Sequence, residues 1–486
     1  MSNNIKTIIE TGLAVDVECH VTNGLPAIVI VGFASRSTEE AKDRLRGAFR
    51  SSRLKLPRKR ITVNLAPGDI PKAGTSFELA IALAILQADQ QIAQPVSASC
   101  VFIGELGLDG AVRPVRGIIG KLLAARRHGL TNCFVPAGNL AQALLVPGLT
   151  VYPVATLNQL YAHFNSLELV VGQVSGQAPA FNEPTVVDDI NEIVGQIRGK
   201  RALEIAAAGG HNLLLNGQPG TGKSMLAKAL PGLLPAMNQE EILEVTHINS
   251  LASLQFDQIL SQRPFRSPHH TATPKNLIGG RGPGEISLSH QGVLFLDELP
   301  EFQRASIEAL RQPLESSSVR LKNGSTLLAN FIMIATANPC PCGYYGTSRC
   351  TCSAHLIVRY QRKLSGPILD RIDLFADAEP SVHARILKKS TEETTTSVRA
   401  RVTAARAVQQ ARNPCLNSRL TNAGIKKHSQ LAPEAKQLLD AAAKRLNISA
   451  RSYLKTVKVG RTIADLASSK QIQLMHITEA LQFRNL

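Results

Sequence analysis

The chain has 486 residues, of which 44% are hydrophobic and 19% charged, a folded composition that excludes disorder, a collagen-like repeat and a disulfide miniprotein. That length is enough for about three domains. Lys and Arg outnumber Asp and Glu by 54 to 37, leaving +17, and an excess of this size favours an anionic partner, nucleic acid first.

In chain order, residues 1–168 alternate strand-like runs such as Ala27–Val31 and Ile61–Leu65 with helical patterns at Phe77–Gln87 and Lys121–Gly129. Within this part, Lys42–Arg60 carries nine basic residues and one acid, Asp43. The run is either a DNA-backbone contact or a solvated helix face, and with Phe49 its only aromatic it offers no base-stacking platform. The linker is expected at 169–185, where residues 172–185 (GQVSGQAPAFNEPT) are small, polar and Pro-containing. From 186 to 380, strand-like runs alternate with helical periodicity, which predicts βαβ units and a largely parallel sheet. From 381 to 486 the strand signals vanish and Arg/Lys-rich helices follow. From Arg385 onward there are 19 Lys/Arg against 6 Asp/Glu, thirteen of the seventeen net charges. Thr391–Ser397 (TEETTTS) reads as a surface turn. The longest apolar run, Leu79–Leu86, is far short of the 18 or so residues a membrane span needs. The start lacks the basic and apolar regions of a secretory signal, so a cytoplasmic protein with no membrane partner is expected.

The sharpest motif is Gly217-Gln218-Pro219-Gly220-Thr221-Gly222-Lys223-Ser224, between the strand candidate Asn212–Leu215 and a helix starting near Met225. Its glycines let backbone N–H groups wrap round phosphates, and the helix N-terminus adds its positive dipole end. Lys223 would reach the β- and γ-phosphates of ATP and Ser224 would ligate Mg2+. The buried strand Val293–Leu296 then presents Asp297 and Glu298, the first of them 74 residues after Lys223. Asp297 would hold Mg2+ through water and Glu298 would polarise the attacking water. A third strand, Phe331–Ala335, leads to Asn338, placed to bind the γ-phosphate and orient that water. Phosphoryl transfer also needs a cation, often supplied in trans. Arg371 is the candidate, the alternative being a surface arginine paired with Asp370 or Asp373.

These motifs, in this order, resemble the AAA+ ATPases and, more closely, their magnesium-chelatase-like branch. Strings matching the ComM (YifB) family include RSPHHTATPKNLIGG (Arg266–Gly280), GEISLSHQGVLFLDELPEF (Gly284–Phe302), NPCPCGYYG (Asn338–Gly346), RYQRKLSGPILDRIDL (Arg359–Leu374) and RTIADL (Arg461–Leu466). The N-terminal part matches in Arg60–Leu86, so the resemblance covers essentially the whole chain. It implies an α/β protein with a Lon-protease-like (S5-like) α+β domain at 1–168, a linker at 169–185, an AAA+ P-loop core at 186–380 and a helical lid at 381–486. It further implies a homo-hexameric helicase that drives branch migration on single-stranded or branched DNA during natural transformation, with recombination proteins as candidate partners. By the same resemblance Asn338 falls at sensor 1, Arg371 at an arginine finger and Arg451 at sensor 2, with Arg461 a second candidate. Asp189–Gln196 would pack around the adenine. A protein-remodelling ATPase of magnesium-chelatase type, without DNA activity, is the rival reading.

In the Lon-like part, Ser76 falls where a nucleophilic serine would sit, in Pro71-Lys72-Ala73-Gly74-Thr75-Ser76. An ungapped alignment over Ile103–Gly129 puts Ile119 at the position of the Lon lysine. A hydroxyl needs a neighbouring base. Ser76 is therefore expected to be a helix-start residue, with Glu78 as a first-turn acid, and the domain to be proteolytically inactive. Finally, Cys340, Cys342, Cys350 and Cys352 fall within thirteen residues as C-x-C-x7-C-x-C. Four thiolates in so short a loop could close a tetrahedral Zn2+ site. Cys19, Cys100, Cys133 and Cys415 read as packing residues. His269 and His270 lie in a polar Gly/Pro-rich insert, where a metal, DNA contact or plain loop structure would each account for them.

Overall fold

The helix Glu78–Ala88 is apolar nearly all round and is buried from Glu78 to Leu86, which makes it the centre of the N-terminal core. The computed structural model describes residues 5–10, 12–32, 36–68, 74–176, 189–280, 282–322, 324–364, 366–379 and 393–484. Pro71-Lys72-Ala73, residues 177–185 of the expected linker and Thr391–Glu392 lie outside them. Two compact units form, Met1–Phe181 with Gln239–Leu260, and Asn182–Asn238 with Ser261–Leu486.

The first unit is mixed α/β. One sheet orders the strands Ile5–Ile8, Ala14–Thr22, Arg60–Ala66 and Ala27–Val31, and only its last pair is parallel. A second sheet orders Gln173–Val174, Thr150–Val154, Asn132–Pro136 and Cys100–Phe102. The expected linker thus contributes a strand, Gln173–Val174, paired antiparallel to Thr150–Val151. Residues 239–260, read from sequence as part of the core, belong to this unit instead. Their helix, Gln239–Ser250, runs beside Ile118–Arg127, with His247 against Gly120 and Leu251 against Gly117.

The second unit is built on a five-stranded, all-parallel sheet ordered Phe265–Arg266, Val293–Leu296, Ile332–Ala337, Leu213–Gly217 and Leu374–Ala378. Val293–Leu296 and Ile332–Ala337 are buried at every position, as strands covered on both faces must be. After Leu374–Ala378 the described chain is helical, with Thr395–Arg412, Asn422–His428, Pro433–Arg445, Ala450–Leu466 and Leu474–Gln482. The lid is not separate from the core. Val398, Val402, Ala405, Val459 and Ile463 pack in one cluster with Leu213, Phe295 and Ile334 of the sheet. Thr395, expected in a surface turn, is buried at the first position of its helix and donates to Asp189 Oδ1 at 2.7 Å. Among the described residues no helix is long and apolar enough to cross a membrane.

One buried ion cluster ties the helix Ala450–Leu466 to the sheet. Asp373, immediately before the edge strand, accepts from Lys455 Nζ at 2.9 Å and lies 3.4 Å from His211 Nδ1. His211 Nε2 meets Thr462 Oγ1 at 2.8 Å. Burial alone would raise the Asp373 carboxyl, but Lys455 and His211 more than offset it and hold it well below the usual carboxylate range. A carboxyl depressed in the folded state adds stability that is full above its unfolded value of about 3.9 and is lost as pH falls below it. Asp373→Asn leaves Lys455 buried without a counter-charge, and is expected to cost about 3–5 kcal/mol at pH 7. Urea unfolding of the two proteins at pH 7 and at pH 3 checks this, since the difference must narrow in acid.

Candidate functional site

Parallel strands end together, and here three of them bring the motif residues to one place. The register pairs Leu215 with Thr336, Asn216 with Ala337 and Leu296 with Ala335. The loop that follows Leu213–Gly217 turns through Gly220 (φ +77°) and Gly222 (φ +85°), left-handed conformations in which a side chain would be strained. Lys223 opens the next helix, Lys223–Leu233. Its Nζ donates to Gly217 O (2.6 Å), Gln218 O (2.8 Å) and Asn338 Oδ1 (3.2 Å). Burial pulls the Lys223 ammonium below the ordinary lysine value, while the charges of Asp297 and Glu298 pull it back up. Ser224 Oγ lies 3.3 Å from Asp297 Oδ2. Hydroxyl and carboxylate oxygens in this arrangement are the donor set that suits Mg2+.

Thr336, whose role the sequence reading left unassigned, joins the two acids. Its hydroxyl donates to Asp297 Oδ1 at 2.6 Å and accepts from Glu298 N at 2.8 Å. Glu298 itself sits at φ +53°, ψ +53°, a strained conformation for a residue with a side chain. Gln196, last residue of the segment expected beside adenine, also touches the loop. Its Nε2 donates to Thr221 O at 2.9 Å and to Glu379 O, and its Oε1 accepts from Glu379 N at 3.2 Å. A cleft of about 710 Å³ opens at these strand ends, with Asn216, Asn338, Tyr360 and Asp377 in its walls.

Arg371 and Arg451 do not join this group. They meet each other at Glu315, whose Oε1 accepts from Nη2 of both at 2.7 Å. Arg371 is held further by Nε on Arg311 O (3.2 Å) and Nη1 on Pro367 O. Its carboxylate partner is therefore Glu315, not Asp370 or Asp373. Arg451 stands at the second position of the helix Ala450–Leu466, which Ser449 caps by accepting from Ser452 N. Arg461, the second sensor candidate, is 1% exposed and spent on Asp465, Lys470 O and Ser469 O, a structural set of bonds.

The four cysteines converge. Cys340, Cys342, Cys350 and Cys352 place their Sγ atoms within 4.8 Å of one another, with three separations of 3.3, 3.9 and 3.7 Å. A tetrahedron with metal–sulfur bonds of about 2.3 Å has edges of about 3.8 Å, so the donors fit zinc. Backbone N–H groups of Tyr344 and Thr351 draw the Cys342 thiol down to about 6, toward the thiolate a metal needs. This is the only such His/Cys/Asp/Glu cluster among the described residues, and His269 and His270 are outside it. Cys100 and Cys133 are buried, and burial pushes the Cys133 thiol up to about 12.

The basic run on the N-terminal unit is partly consumed by its own acids. Lys42 pairs with Glu39 (2.7 Å) and Arg46 with Asp43 (3.2 Å). Glu78, a first-turn acid of its helix, is fully buried and held by Arg44 at 2.6 Å and by Leu106 N at 2.9 Å. Arg50, Arg53, Lys55, Arg58, Lys59 and Arg60 remain exposed. Ser76 stands directly before the N-cap residue Phe77 of the helix Glu78–Ala88. It is buried, and it receives a hydrogen bond from Lys121 Nζ at 3.2 Å, whereas Ile119 is core packing.

The magnesium chelatase subunit ChlI family matches residues 189–386, its ChlI subunit family residues 17–139 and its C-terminal family residues 392–484. The chain is 40% identical to the uncharacterized protein YifB of Salmonella typhimurium, over 97% of this chain and 94% of that protein. It is equally similar, at 40% over the same shares, to the competence protein ComM of Haemophilus influenzae. A stretch of 135 residues is 30% identical to the Lon protease of Solibacter usitatus, covering 26% of this chain and 16% of that enzyme. The chain thus belongs to the magnesium-chelatase-like ComM/YifB family, a membership that implies an AAA+ core using ATP and Mg2+.

Proposed function

We propose that the chain is the subunit of a hexameric, ATP-driven DNA motor that promotes branch migration of recombination intermediates during natural transformation. The observation that carries this reading is the meeting of Lys223, Asn338, Ser224 and Asp297 in a chain 40% identical, over 97% of its length, to a competence protein. The exposed basic residues of Arg50–Arg60 and the positive segment from Arg385 onward favour a polyanion over a protein substrate.

On ATP binding, Lys223 would exchange the carbonyls of Gly217 and Gln218 for phosphate oxygens, keeping Asn338 as its neighbour. Ser224 and Asp297 are the residues that would hold Mg2+, which neutralises charge between the β- and γ-phosphates when bound. Glu298 accepts the proton of the attacking water, and Asn338 orients that water toward the γ-phosphate. Arg371 reaches the nucleotide of a neighbouring subunit and Arg451 acts from the lid. Hydrolysis at subunit interfaces then favours a closed ring.

Lys223→Ala is expected to abolish ATP binding, and Glu298→Gln to bind ATP without turnover. With wild type, a labelled synthetic four-way junction should be resolved only with ATP and Mg2+. An intact junction alongside DNA-independent ATP hydrolysis would instead favour the protein-remodelling reading. For Arg371 and Arg451 to act, both must leave Glu315. Exposed ion pairs are worth about 0.2–1 kcal/mol, so Glu315→Gln should raise basal ATPase by no more than about fivefold. Unchanged or lower turnover in a steady-state assay would show that this carboxylate restrains neither arginine.

Residues Cys340, Cys342, Cys350 and Cys352 are proposed to hold one structural zinc. Gly343, inside that loop, approaches Pro219 of the phosphate loop so closely that an added Cβ would fall 2.5 Å from Pro219 Cδ. Loss of the metal is therefore expected to loosen the phosphate loop as well. Elemental analysis should give one zinc per chain, none in Cys340→Ser/Cys350→Ser, with weakened ATP binding in that variant.

A further inference from the structure

Beside the nucleotide cleft, the second unit carries a separate and strongly positive cleft of about 400 Å³. Its cations come from two elements. Arg304 opens the helix Arg304–Ala309, while Arg359 and Arg362 stand at the C-terminal end of the helix Ala354–Gln361, with Lys363 next in the chain. Against these four cations stands one carboxylate, Glu301, which Lys363 holds at 3.1 Å. The side chains of Arg304, Arg359 and Arg362 are exposed and have no hydrogen bond or ion pair among the described residues. By contrast, Arg201, Arg266 and Arg412 of the same unit are paired with Glu479, Glu285 and Asp465. Three guanidinium groups gathered on one cleft without a counter-charge repel one another, and an anion of several charges relieves that strain. The apolar wall, Phe302 and Ile307, is buried, and a low-dielectric wall focuses the field of the cations. Pro300 lines both clefts, and Glu301 N donates to Glu298 O at 2.7 Å, so the positive cleft adjoins the acid assigned to the attacking water.

We propose that this cleft is a phosphate-binding site for the backbone of a DNA strand, an inference that rests on the DNA motor proposed above. Arg304, Arg359 and Arg362 each donate charge-assisted hydrogen bonds to phosphodiester oxygens, the anion that the guanidinium fork matches. The shared chemistry is phosphate, which a free nucleotide also offers. The one aromatic among the described lining residues, Phe302, is buried, so the cleft presents no stacking face. A free nucleotide would use such a face, whereas a strand held by its backbone does not need one. A phosphate seated here also competes with Glu301 for the Lys363 ammonium. Glu301 is bonded through its backbone to Glu298, so the arrival of a strand bears directly on the acid that activates water.

The test uses the full-length protein with a non-hydrolysable ATP analogue, an oligo-dT strand, and phenylglyoxal as the arginine reagent, modified residues being located by mass spectrometry. Adding oligo-dT should protect Arg304, Arg359 and Arg362 from modification. In the triple variant Arg304→Gln/Arg359→Gln/Arg362→Gln, the slope of log affinity for oligo-dT against log salt should flatten by about 2, with about 0.7 lost per phosphate contact. Should that variant unfold, the three single glutamine variants serve, each flattening the slope by about 0.7. Protection already complete with the ATP analogue alone overturns the proposal, because the arginines are then covered in a subunit interface or hold the nucleotide. Protection by inorganic tripolyphosphate with none by oligo-dT also overturns it, in favour of a free nucleotide. Oligo-dT bound with the cleft unprotected and the slope unchanged sinks this site and leaves the motor standing. Wild type that binds no DNA in any nucleotide state sinks the motor reading, and the site with it.

Discussion

The parallel register of three strands governs the nucleotide site. Leu213–Gly217 lies between Ile332–Ala337 and Leu374–Ala378, and Ile332–Ala337 in turn borders Val293–Leu296. A parallel ladder puts all their C-terminal ends on one edge of the sheet, so the phosphate loop, the acidic pair and Asn338 arrive together without any loop having to reach far. Thr336 exploits that edge. Standing opposite Leu215 in the register, it bonds the carboxylate of Asp297 and the backbone of Glu298 at once. A slip of one residue would turn Thr336 to the other face of the sheet and release both acids. The burial of every residue in Val293–Leu296 and Ile332–Ala337 is what prevents it.

The Asp373 cluster extends the same order into the lid. Asp373 immediately precedes the edge strand Leu374–Ala378, while Lys455 stands on the helix that begins beside Arg451. A movement of that helix relative to the sheet would have to expose a buried pair or carry the sheet edge with it. The lid and the sheet share one apolar cluster as well, so the lid of this subunit is coupled to its own strands by both packing and charge.

Legibility in the sequence followed how far each signal depended on spacing along the chain. The phosphate loop, the two acids and the four cysteines are local patterns, and the residues within each pattern meet as their spacing implies. Thr336 sat in plain view at a strand end, yet nothing local marks a threonine as the link between two acids 38 and 39 positions away. Lys121 was hidden for a different reason. Alignment compares backbone positions and puts Ile119 where a lysine was sought. Both faces of the helix Ile118–Arg127 are buried, though, and a four-carbon stem two positions further along delivers its amine to Ser76. Residues 239–260 escaped too, because a helix that leaves one unit to pack in another looks like any other helix between strands.

Glu315 had no sequence signal, and electrostatics explains why it is where it is. It lies in the last turn of the helix Arg311–Ser316, an end at which the backbone dipole disfavours a carboxylate. Two guanidinium groups at 2.7 Å reverse that penalty and hold the Glu315 carboxyl below its ordinary value, the hydrogen bond from Arg451 contributing most. The carboxylate in turn screens two like charges brought close together. The three residues therefore depend on one another, and an anion that draws either arginine away leaves the other in possession of Glu315. A phosphate offered to Arg451 and one offered to Arg371 then compete with the same carboxylate. The first arginine to leave strengthens the hold on the second, which favours their release in sequence rather than together.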